Sequence, residues 1–303
     1  CVGGTLYVTL EPCQHYGKTP PCLELILKSG IKRVVIGTLD PNPVNHGKSV
    51  RALRRTGVQV AVGVAKEDCD YLIRAFRKWI TTQQPYVLAK VGMSVDGKIT
   101  TAGAYHYITN ALALRRVHEL RQESDVIMVG VNTVIQDNPR INTRLPPQRI
   151  HHPVKVILDS RLRTPPHSKA LDEHTIIVCL ETAAYHRKKA LAKTGAEIMI
   201  VPPHQQRGKM LFEQLNVAVV LAELGARGYT SILLEGGSYI FTTFINQQAI
   251  DEFNIFVAPY IFGAAKLPFT YALHYDVQLD QPVFEQLGNN ILMRGYATYH
   301  PTR

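Results

Sequence analysis

Residues 5–37 read TLYVTLEPCQHYGKTPPCLELILKSGIKRVVIG. Residues 6–10 form a short apolar run, the pattern of a buried strand, which stops at Glu11-Pro12-Cys13. A loop rich in glycine and proline continues through Pro21. Residues 22–28 then predict a helix, with Gly30 as its C-terminal cap. Residues 32–37 are a second strand, bounded by the turn Asp40-Pro41-Asn42-Pro43. Farther out, residues 48–56 predict a helix closed by Gly57, and residues 58–62 a third strand. Residues 67–81 read as one long helix with apolar Leu72, Ile73, Phe76 and Ile80. Strand and helix alternating in this way is an α/β pattern.

Gln83-Gln84-Pro85 interrupts the periodicity, and the domain boundary is expected there, giving residues 1–83 and 84–303. Domains of roughly 100–200 residues agree with two in a chain of this length. Residues 86–91 open a second series. Residues 126–131, 154–158, 175–180, 197–201 and 231–234 are short apolar strands, several followed by helix-like stretches. Residues 251–259 and 290–299 are expected as later, antiparallel strands, for a mixed sheet of eight or more.

Hydrophobic residues make up 46% and charged residues 19%, a balance that argues against disorder. No apolar run reaches the roughly 18–20 residues that cross a bilayer, so no membrane partner is expected. The start, Cys1-Val2-Gly3-Gly4, has no leader pattern and no Met, and it reads as the sequel of a missing N-terminal segment. Five cysteines are an odd, sparse set that fits a reducing, cytoplasmic setting better than a disulfide framework. The net charge of +10 attracts anions. Because the basic residues are spread along the chain with no like-charge tail, phosphorylated small molecules are favoured over nucleic acid.

The most specific chemical signal is Glu11-Pro12-Cys13, then eight residues, then Cys22. A strand end and a helix start can bring two thiolates to one point, and the helix dipole favours their anionic form, which suits zinc. Zinc nucleobase deaminases complete such a site with a His-x-Glu pair. That pair is absent from this sequence, since His118-Glu119 is adjacent rather than spaced. Two cysteines alone make a weak, incomplete zinc site.

Residues 5–22 resemble the second zinc segment of the bifunctional riboflavin-biosynthesis deaminase/reductase family. The long Cys–Cys spacing, with His, Gly and Thr-Pro-Pro between, differs from the shorter Cys-x-x-Cys of cytidine and tRNA deaminases. The resemblance implies Cys13 and Cys22 as zinc ligands, with His15, Lys18 and Asn42 near a pyrimidine substrate. It continues past the boundary. Residues 85–90 and 94–99 are similar to the start of the family's reductase domain, which itself resembles dihydrofolate reductase. Tyr107-Ile108-Thr109 matches a Trp-Ile-Thr segment, with tyrosine for tryptophan. Residues 117–121, 125–130 and 133–139 also match, with Asn138 where the family commonly has a second aspartate. So do Arg144, Leu158-Asp159-Ser160, Leu234-Glu235-Gly236-Gly237 and residues 258–263.

The implied architecture is a partial cytidine-deaminase-like three-layer domain followed by a dihydrofolate-reductase-like mixed-sheet domain, associating as a homo-oligomer through the reductase. The implied cofactor is NADPH, held by Met93, Tyr107, Thr133, Asp137, Gly236, Gly237 and Ser238. The residues agree in part. No Gly-x-Gly-x-x-Gly follows a strand, but residues 233–238 are a strand ending in two glycines, where backbone can approach a pyrophosphate. By itself Glu-Gly-Gly is also an ordinary turn.

The implied substrate is a phosphorylated pyrimidine contacted by Arg121, Ile141, Arg144 and Glu235, and arginine suits phosphate bidentately. Lys90, Asp137 and Thr109 are the catalytic candidates. Each has a plainer reading: a strand-end lysine, a turn aspartate before Pro139, a β-branched filler. Two rivals stay open, a folate-type reductase with an inert deaminase remnant and a nucleic-acid base deaminase.

Overall fold

Runs of β-branched residues, stopped by glycine and proline, set the strands of the computed structural model, which is described over residues 1–17, 19–99, 108–145, 151–206, 209–263 and 267–301. The chain divides into two compact units, Cys1–Gln84 and Pro85–Arg303.

In the smaller unit, β1 (Thr5–Leu10), β2 (Arg33–Thr38) and β3 (Gln59–Val62) pair in parallel in that order. The middle strand buries Val34, Val35 and Ile36. Helices α1 (Cys22–Lys28) and α2 (Lys48–Arg55) lay Leu23, Ile26, Val50 and Leu53 against Val34 and Ile36. β1 is not the buried strand expected. It lies at the sheet edge, its residues alternate between exposed and half-buried, and Tyr7 is 71% exposed.

The single helix expected over residues 67–81 is two, α3 (Lys66–Leu72) and α4 (Arg74–Thr82), broken at Ile73 with φ −96° and ψ 8°. The apolar stripe is only half covered, with Leu72 exposed and Ile73, Phe76 and Ile80 half-buried, while Cys69 is buried against bare backbone at Gly37. A Cβ on Gly37 would lie 2.1 Å from the Cys69 sulfur. A small side chain docked on a glycine, invisible to periodicity, sets the direction of α3.

The larger unit runs β4 (Tyr86–Ser94), α5 (Ala111–Glu123), β5 (Val126–Gly130), α6 (Val131–Asp137), β6 (Val154–Leu158), β7 (Thr175–Leu180), α7 (Tyr185–Ala192), β8 (Glu197–Val201), β9 (Pro203–Gln206), β10 (Lys209–Leu215), α8 (Val217–Ala226), β11 (Ser231–Leu234), α9 (Ser238–Asn246), β12 (Glu252–Ala258), β13 (Tyr275–Leu287) and β14 (Asn290–Pro301). Among the described residues, its main sheet has nine strands in the order β13-β14-β12-β4-β11-β5-β6-β7-β8. Neighbours from β12 to β8 are parallel, and β14 and β13 add antiparallel pairs at one edge.

β12 thus runs parallel to β4, not antiparallel as expected, because the crossover through α9 returns the chain to the end from which β11 started. Sequence reading also passed over β13 and the β9–β10 hairpin. Most of β13 after Asp280 is exposed, and Pro282 falls in a bulge between Asp280 and Val283 that breaks the alternation.

Alternation elsewhere sorts side chains cleanly between the two faces. Val87, Ala89 and Val91 of β4, and Ile232 and Leu234 of β11, join Phe241, Phe244 and Phe253 in the main core. Leu88 and Lys90, with Leu233 and Glu235, therefore belong to the opposite face.

Candidate active site

β4 and β11 are central neighbours in register, with Ala89 opposite Leu234. One residue beyond, Lys90 in the middle of β4 and Glu235 just past the C-terminal end of β11 come side by side, Nζ to Oε2 at 3.3 Å. From α5, Arg121 closes on the same carboxylate in fork geometry, Nε to Oε1 at 2.7 Å and Nη2 to Oε2 at 2.9 Å. Arg121 Nη1 donates to the Asn142 carbonyl at 3.0 Å.

The helix that delivers Arg121 is fixed at its start by Asn110, whose side chain accepts from Ala113 N at 2.9 Å. Burial of Ala113, Val117 and Leu120 turns its other face into the core. Burial alone would raise the Glu235 carboxyl. The charges of Arg121 and Lys90 and their hydrogen bonds outweigh it and hold the group well below the usual carboxylate range. Glu235 is thus an acceptor at neutral pH and cannot itself be an acid.

His118, one turn before Arg121, enters the sequence reading only as a histidine without the His-x-Glu spacing. Burial, then the charges of Arg121 and Arg144, pull its ring down to about 4. The neutral ring accepts a hydrogen bond from Arg144 N at Nδ1, 3.2 Å.

The two glycines after Glu235 do a different job. Gly236 has φ +149°, and a Cβ there would lie 2.9 Å from Ile240 Cγ2 and 3.6 Å from both Gly130 N and Thr133 Oγ1. Only glycine lets the strand end pass so close to the start of α6. Gly237 caps α9 and Gly130 caps α6, neither with a side-chain bond, so backbone N–H groups at both helix starts keep capacity for an anion. Gly130, Thr133, Gly237 and Ser238 line a cavity of about 400 Å³ whose wall also holds Arg161 and Arg163. Arg163 Nη2 donates to Asn132 Oδ1 at 3.0 Å. These arginines follow β6 in Ser160-Arg161-Leu162-Arg163, a sequence signal that was available and not used. A glycine cradle, open helix starts and two guanidinium groups fit the phosphates of a dinucleotide.

The remaining expected residues fall as follows. Thr109 lies over β4, its Cγ2 3.5 Å from where a Cβ on Gly92 would be. Met93 is partly buried against the main core. The Ser238 hydroxyl donates to the Pro268 carbonyl. Ile141 is buried with φ +48° in the loop after α6, and Arg144 is exposed at its end. Asp137 is exposed at the C-terminal end of α6, and partial desolvation raises its carboxyl. Among the described residues, no hydrogen bond or ion pair joins it to Lys90 or Glu235. Lys18 and Tyr107 lie outside the described residues.

In the smaller unit, Cys22 N donates to Cys13 Sγ at 3.4 Å. The hydrogen bond with the Cys13 side chain, then burial, raises the Cys22 thiol above its ordinary value. Buried Glu11 organises the loop behind them. Its Oε2 accepts from Asp40 N at 3.2 Å and Gly47 N at 2.8 Å, and its Oε1 from Ser49 N at 3.0 Å and Val50 N at 3.3 Å, which caps α2. Asn42 Oδ1 accepts from Val44 N at 3.0 Å within its own turn. His15 Nδ1 is buried with no hydrogen-bond partner among the described residues. Among the described residues, no three His, Cys, Asp or Glu side chains gather to hold a metal, so the residues present do not complete a zinc site.

The model of the RibD C-terminal domain matches residues 85–293. Riboflavin biosynthesis protein RibD of Aquifex aeolicus is 37% identical over 263 residues, covering 86% of this chain and 70% of that protein. Acinetobacter baumannii RibD, in its form 1 structure, is 30% identical over 98% of this chain and 82% of that one, with a TM-score of 0.81. A diaminohydroxyphosphoribosylaminopyrimidine deaminase/5-amino-6-(5-phosphoribosylamino)uracil reductase from Thermotoga maritima is 32% identical over 99% of this chain and 80% of that one, with a TM-score of 0.76.

Proposed function

This chain belongs to the RibD family of riboflavin biosynthesis proteins, and on that premise we propose that its larger unit is an NADPH-dependent reductase of the ribose of 5-amino-6-(5-phosphoribosylamino)uracil. The observation that carries this reading is the Lys90–Glu235–Arg121 cluster, whose carboxylate lies two residues before Gly237 in the cavity wall. A site for a polar, anionic substrate and a site for a dinucleotide then meet at a single strand end.

NADPH, when bound, supplies the hydride that turns the ring-opened ribosylamine into a ribityl chain. Gly236, Gly237 and the start of α9 would take its pyrophosphate, with Thr133 and Ser238 beside them. Arg161 and Arg163 favour a further phosphate, and so NADPH over NADH. Glu235 stays ionised, accepts from sugar hydroxyls and fixes Lys90 and Arg121. Lys90, paired with Glu235, is the first candidate for proton transfer to the opening sugar. Asp137, with its raised carboxyl, is the second candidate for proton transfer, and Thr109 hydrogen-bonds substrate or nicotinamide amide. Arg121 already spends Nε and one N–H of each Nη on protein partners. The 5′-phosphate therefore falls first to Arg144, with Ile141 shaping the loop beside it.

For the smaller unit, Cys13 and Cys22 would be two of the zinc ligands of the family's deaminase, with His15, Lys18 and Asn42 toward the diaminopyrimidine. No deamination step is derived from these residues, because they do not complete the site. Association as a homo-oligomer through the larger unit is part of the same proposal. Among the described residues, no helix is long and apolar enough to cross a membrane.

The test is loss of NADPH absorbance with the deaminated ribosylamino-pyrimidine phosphate, beside the undeaminated compound and dihydrofolate. Oxidation with the first is expected, and Lys90→Ala and Asp137→Asn should cut turnover far more than NADPH affinity. Oxidation with dihydrofolate alone would hand the site to the folate-type reading.

A further inference from the structure

The loop that follows α6 is held against its own backbone preference. Asn138 and Ile141 both have left-handed φ, +42° and +48°. For a β-branched residue that conformation is an outlier. Part of the compensation is burial, since the Ile141 side chain packs with Ile127, Val129, Val134 and Ile157. At the start of the loop Asn138 Oδ1 accepts from Lys169 N at 2.9 Å; farther along, Asn142 Oδ1 and buried Thr143 Oγ1 have no hydrogen-bond partner among the described residues. Two side chains of α5, one helical turn apart, grip the loop instead. Arg121 donates to the carbonyl of Asn142, and His118 accepts from the N–H of Arg144, two residues on.

We infer that His118 is a positioning residue: its ring nitrogen Nδ1 holds the main chain at Arg144 so that this loop presents the Arg144 side chain to the phosphate of the substrate. The inference rests on the proposed reading of Arg144 as the phosphate's first cation. The ring suits the task. It is neutral at pH 7, pulled down by burial and by Arg121 and Arg144, so Nδ1 has a lone pair to give and Nε2 carries the hydrogen. The contact is to backbone, so it fixes where residue 144 sits without consuming any guanidinium N–H. Arg121 makes the companion grip with an arm of the group that also clamps Glu235, which couples the loop to the Lys90–Glu235 pair.

The experiment compares His118→Leu, which removes the acceptor, with His118→Asn, whose Oδ1 can replace Nδ1, both in the full chain. Two quantities are read: kcat and KM with the phosphorylated substrate, and the Kd of ribose 5-phosphate by calorimetry. His118→Leu should raise both KM and Kd about tenfold, the weight of one hydrogen bond, with kcat within about twofold and the KM for NADPH unchanged. His118→Asn should recover most of the loss. In an Arg144→Ala background, His118→Leu should add nothing further, and this comparison holds even where the single variant is less stable. Equal Kd values for wild type and His118→Leu would overturn the inference, as would an equal effect of His118→Leu with and without Arg144. If the wild type reduces no substrate while the Kd pattern appears as expected, the enzymatic reading falls and the positioning role stands.

Discussion

Glu235→Ala should weaken the larger unit by about 3–5 kcal/mol, the cost of breaking a buried ion pair from one side. The Glu235 side chain is 9% exposed and receives Arg121 at 2.7 and 2.9 Å and Lys90 at 3.3 Å. Without it, the like charges of Arg121 and Lys90, whose side chains are 15% and 19% exposed, lose the carboxylate that they share. At roughly 2–4 °C per kcal/mol for a domain of this size, the larger unit should unfold about 6–20 °C earlier, as read by calorimetry. Glu235→Gln keeps the volume and part of the hydrogen bonding, and should fall between wild type and alanine.

The pH dependence gives a second reading of the same interaction. The folded Glu235 carboxyl is held below its ordinary value of 4.5. Its contribution is therefore fully present above that value and is lost as pH falls below it. The stability gap between wild type and Glu235→Gln should be flat from pH 7 to about 5 and shrink in more acidic solution. A loss under about 1 kcal/mol for alanine, or a gap that ignores acid, would refute the reasoning that this carboxylate neutralises both cations.

Other consequences can be checked alongside. Gly236→Ala must fit a Cβ 2.9 Å from Ile240 at φ +149°, so stability should drop by about 1–3 kcal/mol and the KM for NADPH should rise at least about tenfold. Arg163→Ala should raise the KM for NADPH roughly ten- to a hundredfold, as expected for a charge-assisted hydrogen bond, and leave that for NADH nearly unchanged. Asp96, bonded by Ser94 Oγ and by the N–H groups of Phe262 and Gly263, is held down to about 2 from 3.8. Its stabilising effect should be complete above about pH 4 and fade toward pH 2, a fade that Asp96→Asn abolishes in acid titration. Phe253→Ala, at a core position 2% exposed and edge-on to Phe269, should cost about 3–5 kcal/mol in urea unfolding with no change in KM.

Much of this protein was legible in its sequence. Alternating apolar strands and helices announced an α/β chain, and glycine and proline stops placed most element ends within a residue or two, because those signals are local. Glu235-Gly236-Gly237 was visible as a candidate through the family resemblance around it, since by itself the motif is also an ordinary turn. Where local signals compete with packing, sequence reading missed. Ile73 carries the helical stripe, yet Cys69 on Gly37 decided how α3 lies. β13 hid behind Pro282 and an exposed face.

The sequence by itself determined the residue types, the two-part organisation and the candidates Lys90, Arg121, Arg144 and Glu235. Only the tertiary structure decided how they combine. The parallel register of β4 and β11 sets Lys90 beside Glu235, although 144 positions separate them. It also showed that Arg121 spends much of its guanidinium on that carboxylate, and that His118, unremarkable as a letter, grips the main chain of Arg144. The physical reason is that a hydrogen bond or ion pair acts over about 3 Å in space. Which distant residues come that close is set by strand register and helix packing, and local sequence pattern does not encode those pairings.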